Sequence, residues 1–183
     1  MELNCRRVVM TWGLLLAGYL GMVAAQQRPP WPADRIGGIG VVPWGATAQH
    51  LEGVAGTYVM SRPAGDSGQL LIYRNQLAGR SVTALFYLDN VRGLVKGVYS
   101  APYGLGECEV VFEGFKASMA RLYPSLKPVE RRAYGDRSQP FCATANTEKV
   151  KWSVEWTDAD GNSARVELEP GDARVSTTFQ RRK

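Results

Sequence analysis

The run SVTALFYLD, residues 81–89, decides the fold. Val82, Ala84, Phe86 and Leu88 fall on one side of an extended chain, and Thr83, Leu85 and Tyr87 on the other. Strict alternation of this length predicts a half-buried β-strand. Similar runs surround it. TYVMS (57–61) and QLLIYR (69–74) flank a Pro-Ala-Gly-Asp-Ser-Gly turn, and GLVKGVYS (93–100) follows a turn at Asp89-Asn90. Four strand-like runs joined by short turns predict an antiparallel meander.

A helix precedes this meander. In VVPWGATAQHLEGVAGTYVM (41–60), Thr47 suits an N-cap, Leu51, Val54 and Ala55 follow at helical spacing, and Gly56 supplies a stop. Trp44-Gly45 makes a tight turn before the cap, so the indole is expected to fold over the first helical turn. The same order recurs downstream. In PYGLGECEVVFEGFKASMARLYP (102–124), Phe112, Phe115, Met119 and Leu122/Tyr123 form an apolar stripe that Pro124 ends. A short run, VERRAY (129–134), leads on to VKWSVEWT (150–157), SARVELE (163–169) and ARVSTTF (173–179). The first of these three points Val150, Trp152, Val154 and Trp156 one way. The prediction is an α+β domain over 41–183: an antiparallel sheet with one or two packed helices. It carries a weak duplicated helix-then-strands order, with units at 47–100 and 107–180.

The N-terminus reads as a targeting segment. Arg6 and Arg7 precede an apolar stretch, 8–25, and Val23-Ala24-Ala25 supplies small residues at −3 and −1, so cleavage is expected after Ala25. The stretch is also long enough to stay as an anchor, which leaves membrane association through 8–25 as the alternative. Both readings put the rest of the chain outside the cytoplasm, in the periplasm or beyond it. Residues 26–40, QQRPPWPADRIGGIG, have no period of 2 or 3.6 and read as a Pro/Gly-rich tether, with Trp31 as a candidate partner contact.

The net charge is +5, and loss of one acid and two bases with the leader leaves +4, too diffuse for a nucleic-acid partner. The one basic cluster, Arg181-Arg182-Lys183, is expected to be a frayed tail or a second partner contact. Cys5 goes with the leader, leaving Cys108 and Cys142 as an expected disulfide. No Asn-x-Ser/Thr sequon occurs, which suits a bacterial envelope protein.

Motifs for chemistry are sparse. DADGNSARVELE (158–169) has acidic residues at EF-hand spacing, but Ser163 and Arg165 stand where a loop glycine and an apolar residue belong. Its flanks have strand period, so a hairpin is expected there. GGIG (37–40) lacks the preceding strand and third glycine of a phosphate loop. No Gly-x-Ser-x-Gly occurs, and the single histidine, His50, has no carboxylate or nucleophile near it in sequence. The expectation is therefore a non-enzyme with no cofactor, metal or nucleic acid, working through a protein partner in the cell envelope. The rival is a soluble inhibitor or small-ligand binder.

A hydrophobic residue followed by PWGAT (43–47), then LLIYRNQLAGRSVTALFYLDN (70–90), resembles a group of uncharacterised bacterial exported proteins. Their domains are similar to the helix-plus-strands units of the β-lactamase-inhibitor-protein-like fold. The resemblance covers about residues 39–100, implies a fold and an envelope location, and assigns no active-site residue.

Overall fold

The structure is a computed structural model, and it describes residues 29–65, 68–104, 106–133, 151–169 and 173–183. A two-stranded ribbon, β1 (Gly38–Ile39) and β2 (Val42–Pro43), leads into helix α1 (Ala48–Ala55). Strands β3 (Met60–Pro63), β4 (Gly68–Leu77), β5 (Arg80–Asp89) and β6 (Gly93–Pro102) follow. Helix α2 (Cys108–Leu122) then precedes β7 (Val129–Ala133), β8 (Lys151–Thr157), β9 (Ser163–Glu169) and β10 (Arg174–Gln180). The last eight strands form one antiparallel sheet in the order β3-β4-β5-β6-β10-β9-β8-β7. Each set of four is a meander, and the two meanders meet where β6 pairs with β10. The protein is α+β and dominated by strand.

Register explains the core. Tyr73, Ala84, Tyr99, Thr177, Val166 and Val154 are successive cross-strand partners from β4 through to β8. All are buried, as the alternation in SVTALFYLD demands. Rings of Tyr58, Tyr73, Phe86, Tyr99 and Phe179 meet edge to face in a chain, each contact worth about 0.5–1.5 kcal/mol beyond its area. Helix α2 packs on β9 and β10, and Phe112 stacks on Trp152 of β8 with centroids 3.9 Å apart. The apolar stripe on α2 is buried as its spacing predicts, and Tyr123 is buried just past its end.

Helix α1 begins where Thr47 Oγ1 accepts from the His50 amide, and it ends at Gly56, whose φ of 79° suits glycine. Leu51 is its one fully buried residue, and Val54, expected inside, is exposed. Strand β3 also starts later than expected, at Met60 rather than Thr57. Tyr58 is drawn out of that run to join the aromatic chain, so packing overrides local propensity.

The tether reading fails for residues 36–40. Ile36 and Ile39 are fully buried, and β1 pairs with β2 inside the domain. Ile39 covers Gly97 of β6, where any Cβ would collide with its side chain. Gly37 and Gly38 lie under the Trp31 ring, with added Cβ atoms falling 2.8 Å from its carbons. These glycines seat an indole. Residues 1–28, Val150 and Cys142 lie outside the described residues, so the leader, cleavage site and disulfide do too.

The β5–β6 turn is closed by a carboxylate. Asp89 accepts from the Arg92 and Val91 amides, both at 2.9 Å, and from the Arg92 guanidinium at 3.1 Å. The Arg92 amide leads these bonds in lowering its pKa from 3.8 to about 2. A depressed folded-state value means stabilisation that is present above about pH 4 and lost as pH falls towards 2. Urea midpoints between pH 2 and 6 are expected to show that loss in the wild type and a flatter limb in Asp89→Asn.

Candidate functional site

Three segments distant in sequence meet at one end of the sheet. Trp31, Arg35 and Trp44 come from the N-terminal stretch, Asp158, Asp160 and Asn162 from the β8–β9 turn, and Arg181–Lys183 from the end of β10. They line a cleft of about 460 Å³.

Asp158 holds the cleft together. Its Oδ2 accepts from the Ile36 amide at 2.9 Å and from Asn162 Nδ2 at 3.0 Å, and its Oδ1 accepts from the Asn162 amide at 2.8 Å. The side chain is buried, so a carboxylate is acceptable only because these donors replace water. One residue thereby closes the hairpin and anchors the N-terminal stretch. Asn162 extends the link, its Oδ1 accepting from the Arg182 amide at 3.1 Å. The Arg181 amide donates to Val95 O at 3.0 Å, so the tail expected to fray is tied down through Arg182.

Trp44 also lines the cleft. It is half-buried against the core, its amide donates to Gly37 O at 2.9 Å, and its indole Nε1 donates to Ile36 O. The ring therefore fastens the N-terminal stretch. Trp44→Phe keeps most of the packing but leaves that carbonyl unpaired, an expected loss of about 1–2 kcal/mol. Thermal denaturation checks it: a fall of a few degrees supports fastening, and an unchanged melt refutes it.

Charge in the cleft is unbalanced. Arg35 pairs with Asp160 at 2.9 Å, and both side chains are more than half exposed, so the pair contributes little to stability. Asp158 is occupied by its three donors. Arg181, Arg182 and Lys183 form no ion pair among the described residues. Trp31 Nε1 is buried and has no acceptor. A second cleft of about 380 Å³ shares Arg181–Lys183 and adds Tyr87 and Lys96, whose Nζ sits 5.3 Å from the Tyr87 ring centroid.

The sequence singled out Trp31, Arg181, Arg182 and Lys183 separately, and all four line the same cleft. It missed Asp158, Asn162 and Arg35 as builders of it. The signal was present in DADGN, where an Asp and an Asn four residues apart close a hairpin between strands. The hairpin expectation for 158–169 holds, since β8 and β9 flank the loop. Cys108 is fully buried at the first position of α2.

Other groups offer little chemistry. His50 is exposed in the first turn of α1. Burial raises the Tyr73 phenol to about 12, and Tyr99 and Tyr123 are raised still further, so all three stay protonated at neutral pH. Among the described residues no group of three or more His, Cys, Asp or Glu could hold a metal ion, and no helix is long and apolar enough to cross a membrane.

The sheet face opposite the core is the other candidate surface. Met60, Ile72, Leu85 and Val98 are cross-strand partners along one row of it, and Thr178, Arg165 and Glu155 continue that row. The row is apolar in the first meander and charged in the second. Leu70, Tyr87 and Lys96 form the next row, which reaches the second cleft.

Comparison of the chain with protein-family models, curated proteins and solved structures returned no match.

Proposed function

We propose that this chain is a non-catalytic extracytoplasmic binding or scaffolding protein that docks on a protein partner in the cell envelope. The observation that carries this reading is the apolar row Met60, Ile72, Leu85 and Val98 on the face opposite the core. Met60 is exposed, and the other three are half-buried. A continuous apolar row on an outer sheet face, bordered by Lys96 and the Arg181–Lys183 tail, has the apolar centre and cationic rim of a protein-binding patch. An accessory subunit on the outer face of a membrane complex fits the leader and the mild positive charge. The helix-then-strands order of the two meanders is consistent with the resemblance to β-lactamase-inhibitor-protein-like domains.

The test is a photo-crosslinking amino acid placed at Leu85 in whole cells, combined with cell fractionation. A discrete crosslinked species comigrating with membranes, lost in Val98→Arg, supports the reading. Absence of any crosslinked species from correctly exported protein contradicts it.

The proposal includes export and a Cys108–Cys142 disulfide, since two cysteines without metal partners in an oxidising compartment pair. Non-reducing mass spectrometry of exported protein is expected to find the cross-linked peptides, and two free thiols would refute the pairing. Closing this loop contributes at most about 4 kcal/mol.

The small-ligand reading stands second, favoured by the cleft at Trp31 and Arg181–Lys183.

A further inference from the structure

We infer that the cleft between Trp31 and the C-terminal cations binds a phosphate-type oxyanion. Three independent features converge there. The first is surplus positive charge: Arg35, Arg181, Arg182 and Lys183 line the cleft against Asp158 and Asp160, and Asp160 is already paired with Arg35. Arg181, Arg182 and Lys183 line the same space without a carboxylate partner among the described residues. Like charges gathered in one concavity repel, and an anion relieves that repulsion.

The second is the orphaned donor. Trp31 Nε1 is shut off from solvent and has no acceptor in the protein, a costly state for a buried N–H. The indole is held rigidly over Gly37 and Gly38 and cannot easily turn to find one. Trp31 lines the cleft, and an anion oxygen that parts the atoms covering Nε1 would supply the missing acceptor. Guanidinium groups add forked donors matched to phosphate oxygens, so the donor set suits a tetrahedral oxyanion better than a single-point halide.

The third is preorganisation. The Arg182 amide is tied to Asn162 and the Arg181 amide to Val95, so the cations sit on a fastened stretch of chain. Less conformational freedom is lost on binding than for a loose tail.

Two sources of the oxyanion share this chemistry, a soluble phosphate ester and an anionic lipid headgroup. Five residues lie between Ala25 and Trp31, so the two are at most about 20 Å apart along extended chain. A retained 8–25 anchor would therefore keep the cleft within reach of headgroups. The inference does not rest on the protein-partner reading, which is carried by the apolar row at Leu85, although the Arg181–Lys183 tail borders both surfaces.

The experiment uses the exported chain as the cell processes it. Inorganic phosphate is titrated by calorimetry at constant ionic strength, with chloride as the reference anion. Binding to vesicles of phosphatidylglycerol with phosphatidylcholine is compared with binding to phosphatidylcholine alone. Saturable phosphate binding is expected, weakened at least tenfold in Arg181→Ala/Arg182→Ala and about tenfold in Trp31→Phe, which keeps a ring but removes the donor. Lys127→Ala, an exposed cation elsewhere, leaves it unchanged. A preference for anionic vesicles that the double variant loses identifies a lipid source, and phosphate binding without that preference identifies a soluble one. No saturable binding of phosphate and no vesicle preference, or either response surviving in the folded double variant, overturns the inference. The Leu85 crosslink in the wild-type chain, with Val98→Arg as its control, tests the protein-partner reading separately.

Discussion

Asp158→Ala is expected to lower stability by about 3–5 kcal/mol, the range for removing one partner from a buried charge-assisted set. The substitution strands the Ile36 and Asn162 amides and removes the buried carboxylate joining the β8–β9 turn to the N-terminal stretch, leaving only the exposed Arg35–Asp160 pair there. At about 2–4 °C per kcal/mol for a domain of this size, the melting temperature should fall by roughly 6–20 °C. Asp158→Asn keeps one carbonyl acceptor and should fall about half as far. Differential scanning calorimetry of the two variants checks the order. A mutant that melts with the wild type would mean that the Ile36 bond does not hold the segment in place.

Gly38→Ala is expected to be comparably damaging, although it adds a single methyl group. A Cβ at this position collides with the carbonyl oxygen of Val42, lies 2.7 Å from Pro43 Cα and 2.8 Å from the Trp31 ring. Backbone cannot yield as a flexible side chain can, so the β1–β2 pairing opens. Ile39 then loses its seat over Gly97, and Ile36 is pulled with it. Exposing two buried isoleucines at about 1.5–3 kcal/mol each gives an expected loss of about 3–6 kcal/mol. Chemical denaturation is the readout, and a loss below about 1 kcal/mol would show the ribbon to be dispensable.

Both substitutions fall in or against a stretch whose role the sequence hides. In β5 the alternation of Val82, Ala84, Phe86 and Leu88 is a direct image of which face is buried, and the strand follows from it. The stripe on α2 is an image of the same kind, at helical spacing. Residues 29–44 carry no such image. Ile36 and Ile39 are isolated among Gly and Pro, and their burial is decided by the groove over β6, by Asp158 and by Trp44, all remote in sequence. Tertiary contact without local periodicity leaves nothing for a pattern to report. The site is hidden for the same reason. Trp31 and Arg181–Lys183 were recognisable as residue types suited to contact, but their meeting depends on β10 lying beside β6. The outer apolar row was present as Leu85 in the alternation, yet only the register aligns it with Met60, Ile72 and Val98.

Native-state hydrogen exchange at the Ile36 and Trp44 amides tests most directly whether the N-terminal stretch is part of the domain and builds the cleft. The Ile36 amide donates to buried Asp158, and the Trp44 amide to Gly37 O. Both are expected to exchange with protection close to that of the Ala84 and Tyr99 amides in the centre of the sheet. Free exchange at Ile36 and Trp44 while the sheet stays protected would mean a tether hung beside the domain, and no built cleft.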